Sequence, residues 1–216
     1  MKIDENEVLR YLGYRGKKAG EDVLRLVESC SQELREAAVP ASVSREFPVA
    51  SEGDIVTVGP ISIPSRDLKN HLSGCDSAVL FAATLGAPAD LLLLRASKTD
   101  IARAAVLEAC AATMIEEYCD QCQKPLEKTA ADRRLYLRPR YSPGYGDFPI
   151  SFQRELLGVL DCSRRIGLTM LDSFMLVPSK SVTAVIGLTE EKTSCHIARC
   201  MECKAVNCPF RKVELS

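Results

Sequence analysis

Apolar residues recur at helical spacing in two stretches near the start of the chain, residues 4 to 12 and 19 to 38, where Val23, Leu26, Val27 and Leu34 share a face. Both predict amphipathic helices. From Ser42 to Ile63 the pattern changes to short β-rich runs, with Ile55, Val56 and Val58 between the breakers Gly53 and Gly59-Pro60. Ser65 is placed to cap a helix running to about Leu72, and the apolar run Ala78 to Thr84 predicts a buried strand. Two further helices follow over residues 87–96 and 99–122, the second the longest in the chain. Leu135 to Leu137 reads as a strand entering a Pro- and Gly-rich loop, and Ser151 to Leu160 reads as helix. Asp172 to Val177 and Ser181 to Leu188 alternate or cluster β-branched residues as strands do. No internal repeat is visible. This mixed order predicts an α+β (mixed α/β) fold, and the close spacing of the late strands predicts a mainly antiparallel twisted central sheet with flanking helices.

Composition adds the scale. The 216 residues, 46% hydrophobic and 26% charged, suffice for one full domain with a small appendix. With 28 basic and 29 acidic side chains the formal charge is -1, so nothing general attracts the chain to nucleic acid or to an anionic membrane. The opening MKIDENEVLRYLGYRGKK lacks the apolar core of a signal peptide. The most apolar run, Ser77 to Leu94, is interrupted by Gly86, Pro88 and Asp90, which disfavours a membrane span. A cytoplasmic location is expected. The composition shifts at about Thr193, dividing a main domain over residues 1–190 from a Cys-rich tail over 191–216.

The tail carries Cys195, Cys200, Cys203 and Cys208 as C-x4-C-x2-C-x4-C, followed by Pro209. Short spacers let several thiolates converge, so the four can ligate a 4Fe-4S cluster or a zinc ion. Cys followed by Pro favours the cluster; the bland alternative is a structural zinc that staples the appendix. His196 is read as a bystander. The other six cysteines, Cys30, Cys75, Cys110, Cys119, Cys122 and Cys162, are scattered and fit core packing, although Cys119 and Cys122 form a C-x-x-C.

A second signal is the segment RPRYSPGYGDFP over residues 138–149, stiffened by three prolines and opened by two glycines. Arg140 offers a planar fork for a carboxylate, while Tyr145 and Phe148 can stack on a flat ring. The same composition also suits a surface loop whose aromatics cover the sheet. A third signal is Glu108, the only carboxylate between Arg103 and Glu116 in an apolar helix. A carboxylate buried there would need a cation, either a ligand's ammonium or one of the chain's arginines. Glu108 and Arg140 together would suit the two charged ends of an amino acid.

The run Arg-Tyr-Ser-Pro-Gly-Tyr beginning at Arg140 resembles the Arg-x-x-x-Gly-Tyr segment that binds S-adenosylmethionine in the activation domain of cobalamin-dependent methionine synthase. DSFMLVPSKSVTAVIGL, from Asp172, is similar to that domain's later strand region, and EVLRYLGY near the start to its small stand-alone relatives. The resemblance implies that Arg140 binds the methionine carboxylate, that the backbone near Ser142 and Gly144 contacts the cofactor, that Tyr145 faces the corrin, and that Glu108 holds the amino group. It also implies a partner: a methionine synthase or other corrinoid protein that carries the cobalamin. Flavodoxin or ferredoxin would supply electrons for reductive methylation of cob(II)alamin. The family's early aspartate contact has no counterpart here, and Gly-Asp-Phe-Pro stands where the long enzymes have Pro-Ala-Cys-Pro.

Overall fold

The computed structural model describes residues 3–14 and 18–191. Two helices, α1 (Glu5–Tyr11) and α2 (Glu21–Ala37), precede the strands β1 (Ala41–Glu52), β2 (Ile55–Val58) and β3 (Ile61–Pro64). Then come α3 (Arg66–His71), β4 (Cys75–Thr84), α4 (Ala87–Thr99), α5 (Ile101–Asp132) and β5 (Tyr136–Leu137). A 3-10 turn (Ile150–Phe152) leads into α6 (Gln153–Val159) and α7 (Cys162–Ile166), and the described chain closes with β6 (Thr169–Met170), β7 (Leu176–Val177) and β8 (Ser181–Thr189).

Six strands form one antiparallel sheet in the order β3-β2-β1-β4-β8-β5. The first part of β1 pairs with β4, from Ala41 opposite Thr84 to Pro48 opposite Ser77, and its last four residues pair instead with β2. Both sheet faces are covered, which is why β4 reads as a continuous apolar run rather than an alternating one. Val79, Phe81, Ala83, Ala184 and Ile186 face a layer made of α1, α2, α4 and α5. Ala78, Leu80, Ala82 and Val185 face α3, α6 and α7. The α+β fold with an antiparallel sheet and flanking helices is thus the one expected from the element order.

Two expectations need correction. Helix α5 does not stop at Cys122 but runs on to Asp132 through Pro125. The proline removes one N–H from the ladder. The continuation is held by burial of Gln123 and Ala130 and by Leu126 against the helical-layer core. Asp172 to Val177 is not a strand: it is mostly the turn between the two-residue strands β6 and β7, with Phe174 at φ 64°. The Phe174 carbonyl accepts a bond from Gln153 Nε2 at 2.9 Å, a contact between distant segments that no local pattern announces.

Candidate functional site at the sheet edge

Beyond Leu137 the chain keeps to the edge of β8 without forming a regular strand. Arg138 N–H donates to the Gly187 carbonyl at 2.7 Å, and Tyr141 exchanges two 2.9 Å bonds with Val185. Because Tyr141 lies opposite Val185, its side chain takes the same sheet face, toward α3, and the preceding Arg140 takes the other, toward α5. Side-chain contacts agree. The Tyr141 ring stacks on His71 with centroids 4.8 Å apart and lies nearly parallel to Phe148 at 6.3 Å. His71, itself buried in α3, bonds through Nε2 to the Pro139 carbonyl at 2.9 Å.

The rest of the loop is tied down from the same side. The Asp147 carboxylate accepts from the Ser65 hydroxyl, from Arg66 N–H at 2.9 Å and from Asp67 N–H at 3.1 Å, so it caps α3 beside the helix's own Ser65 cap. Asp67 returns the bond, accepting Asp147 N–H at 3.2 Å. These donors, the Ser65 hydroxyl first, hold the Asp147 carboxyl below its ordinary range. Gly146 has φ 52°, and a Cβ there would fall on the Asp67 carboxylate and 2.8 Å from the Tyr141 hydroxyl. Phe148 is buried at the base of the loop.

On the opposite face Arg140 is only 9% exposed, and three acceptors on α5 hold its guanidinium. Nη1 donates to Asp120 Oδ1 at 2.8 Å and to Gln123 Oε1, while Nη2 donates to Glu116 Oε2 at 2.8 Å. Burial works against the cation, but the fields of Cys119, Glu116 and Asp120 more than offset it and its pKa is raised. Residues 116, 120 and 123 lie one turn apart on a single helix face. That i, i+4, i+7 polar stripe is visible in the sequence and is the signal by which Arg140's partners could have been found, although the sequence analysis did not use it.

The predicted residues are therefore distributed rather than gathered. Tyr145 is 57% exposed and meets Tyr141 edge-on at 5.9 Å, on the α3 side, away from the Arg140 guanidinium. Ser142 and Gly144 form the turn that carries it: the Ser142 carbonyl accepts Tyr145 N–H at 3.1 Å, and Gly144 N–H donates to the Phe148 carbonyl at 2.8 Å. Among the described residues this leaves Ser142 N–H and the Gly144 carbonyl as those residues' backbone groups without a partner. Glu108 is not a buried lone carboxylate. Its side chain is 54% exposed and paired with Lys180 rather than with an arginine. It also lies eight residues before Glu116 on α5, roughly 12 Å along the axis, so it does not join Arg140 in one clamp. A cavity of about 260 Å³ lined by Val56, Lys69, Leu72, Cys75 and Asp76 contains none of these residues.

Cys119 and Cys122 are free thiols on α5. Burial pushes the Cys119 thiol up to about 12, which suits packing rather than reactivity. Among the described residues no group of three His, Cys, Asp or Glu side chains is placed to hold a metal, and no helix is long and apolar enough to cross a membrane. Cys195, Cys200, Cys203 and Cys208 lie outside the described residues.

An antiparallel sheet sandwiched between helices, with a rigid Arg-to-Tyr segment along its last edge, is the class of structure in hand. Among solved structures this chain is similar to a crystal structure of the MetH reactivation domain bound to AdoHcy, with a TM-score of 0.60 and 16% sequence identity over 81% of this chain and 67% of that one. The likeness is one of fold. No family model matches the sequence, and no curated protein does.

Proposed function

We propose that this chain is an activation subunit that binds S-adenosylmethionine along its sheet edge for reductive methylation of cobalamin carried by a partner protein. The observation that carries the reading is Arg140, held in place at the edge of a sheet whose fold is that of a domain solved with AdoHcy. A guanidinium has five N–H donors and α5 takes three of Arg140's, which leaves Nε–H and one Nη2–H uncommitted for a ligand carboxylate. Nε has no hydrogen-bond partner, yet among the described residues the buried unpaired side-chain polar atom is Arg138 Nε, so Arg140 Nε is not sealed off.

In this reading Arg140 anchors the methionine carboxylate, and the unpaired backbone groups of Ser142 and Gly144 contact the ligand where it crosses the edge. Exposed Tyr145 faces the partner's corrin, and Glu108 is left outside the grip. The sulfonium supplies the methyl group, and one electron, from flavodoxin or ferredoxin, makes the partner's cobalt the nucleophile. This chain's contribution is positioning and charge complementarity, with no protein nucleophile. The partner is a cobalamin-dependent methionine synthase or another corrinoid protein. Isothermal titration of S-adenosylmethionine into wild type and Arg140→Ala tests the proposal. Binding that is lost in the variant, together with lost reactivation of an added cob(II)alamin protein, is the expected result; absence of binding to wild type would sink it.

The four-cysteine spacing supports one further reading: residues 191–216 form an appended metal module in which Cys195, Cys200, Cys203 and Cys208 hold a 4Fe-4S cluster that relays the electron, or a structural zinc. If that module is the chain's purpose, the protein is a non-catalytic redox or interaction protein, and the titration above will show no ligand. Anaerobic purification followed by iron, sulfide and zinc analysis separates the cases: iron with sulfide supports the relay, and zinc without sulfide removes it.

A further inference from the structure

The central sheet is split at one end, and the cavity of about 260 Å³ occupies the split. The β1–β4 ladder stops at Pro48 opposite Ser77, where β1 swings over to β2. Had the two strands stayed together, Ala50 would lie opposite Cys75 and Ser51 opposite Gly74; instead these four residues line the cavity. The Pro48 carbonyl accepts from Gly59 N–H at 3.0 Å, on the β2 side. Backbone groups alternate in direction along a strand, so Ser51, three residues on, turns its N–H and C=O the other way, into the split. Among the described residues no strand meets them there. Two opposite charges border the same space. Lys69 reaches from α3 across to the Gly53 carbonyl at 2.5 Å, which leaves two of its three N–H groups uncommitted. Asp76 stands at the start of β4, and among the described residues neither it nor Lys69 forms an ion pair with the other or with a third group. Buried Val56 and Leu72 supply an apolar wall.

We infer that this split is a binding site for a zwitterionic peptide of dipeptide size, whose amide pairs with the Ser51 backbone, whose carboxylate meets the Lys69 ammonium and whose own ammonium meets Asp76. An extended peptide continues the ladder that β1 and β4 leave open, as in strand addition at a sheet edge. The two unpaired charges select a ligand ionised at both ends. A free amino acid has those charges but no amide for Ser51, and the apolar wall takes one small side chain. The volume lies below the range usual for drug-sized ligands, about 300–1,000 Å³, which limits the occupant to a short peptide. The site contains none of Arg140, Ser142, Gly144 and Tyr145, so it stands apart from the binding proposed at the sheet edge.

The test titrates glycyl-L-valine, its N-acetyl form and its C-terminal amide into the full chain at about pH 7, where both ends of the free dipeptide are charged. The free dipeptide should bind with a Kd on the order of 1 mM, as suits so small a ligand, and either capped form roughly tenfold more weakly. Lys69→Met should weaken the free dipeptide by a similar factor without weakening the amide, which has no carboxylate to lose. Asp76→Asn should weaken it without weakening the N-acetyl form. Cys75 gives a second readout, because its thiol lies at the cavity wall. Burial raises that thiol above its ordinary range, so its alkylation is slow, and saturating dipeptide should slow it severalfold further, as read by mass spectrometry of the labelled chain. Equal binding of the three forms, no saturable binding up to about 20 mM, or binding that leaves Cys75 unprotected overturns the inference. The capped peptides act on wild type, so the answer does not depend on either variant folding.

Discussion

Gly146→Ala probes the loop that carries the Arg-to-Tyr segment, and Gly53→Ala supplies the comparison. Both glycines are left-handed, with φ 52° and 57°, so an alanine at either place incurs the same backbone penalty, about 1–2 kcal/mol. Both changes also remove similar freedom from the unfolded chain, a gain of under about 1 kcal/mol that cancels between them. They differ in surroundings. At Gly53 a Cβ meets nothing within 4 Å. At Gly146 it falls on the Asp67 carboxylate and 2.8 Å from the Tyr141 hydroxyl, whose ring is set between His71 and Phe148. Asp67 can swing away only by giving up Asp147 N–H, and the ring has little room. Such crowding costs about 1–2 kcal/mol beyond the backbone term. At about 2–4 °C per kcal/mol for a chain of this size, Gly146→Ala should melt roughly 2–8 °C below Gly53→Ala. Urea unfolding at neutral pH gives the same difference as a shift in midpoint. Equal stabilities of the two variants would show that α3 does not clamp the Gly146 turn of the loop.

Phe148→Ala removes a buried ring from the base of the loop and should cost about 3–5 kcal/mol, with Phe148→Leu much milder, as urea midpoints will show. Because the Asp147 carboxyl is held below its ordinary range, its contribution is fully present above the unfolded value near 4 and is lost as pH falls through the folded one. Asp147→Asn should therefore melt below wild type at pH 7, with the gap narrowing as pH falls below the ordinary carboxylate range; a gap that stays constant through acid contradicts the clamp. For the thiols, burial pushes Cys30 up to about 11 and Cys119 and Cys162 up to about 12; of the six described cysteines Cys122 is half-buried and Cys75, at the cavity wall, is 8% exposed, while the other four are fully buried. With the four tail cysteines replaced by serine, a native thiol titration should find at most the Cys122 and Cys75 thiols reactive, and all six only in urea. Rapid native labelling of Cys119 would contradict its burial.

How far the sequence reaches can be judged from where distant segments meet. Helices and strands with their own period were legible, as was the Ser65 cap, whose side chain does bond Leu68 N–H at 3.0 Å. The continuation of α5 past Pro125 was not, because Leu126 and Ala130 are kept helical by a core formed from other elements. Glu108 misled for a related reason. Apolar neighbours in sequence suggested burial, but a helix shows different faces to its neighbours, and Glu108 falls on the half-exposed one beside Lys180.

The separation of Arg140 from Tyr145 was readable in principle. A residue that precedes proline is biased to extended backbone, so Arg138 and the run after it predict a strand-like path in which Arg140 and Tyr141 point to opposite sides. The structure follows that path along β8: the guanidinium goes to α5 and the ring to α3. A ligand held by Arg140 and presented beside Tyr145 must then cross the sheet edge rather than lie in a closed pocket. On the proposed function its reacting end is then left open to a second protein, as methyl transfer to a partner's cobalt would require.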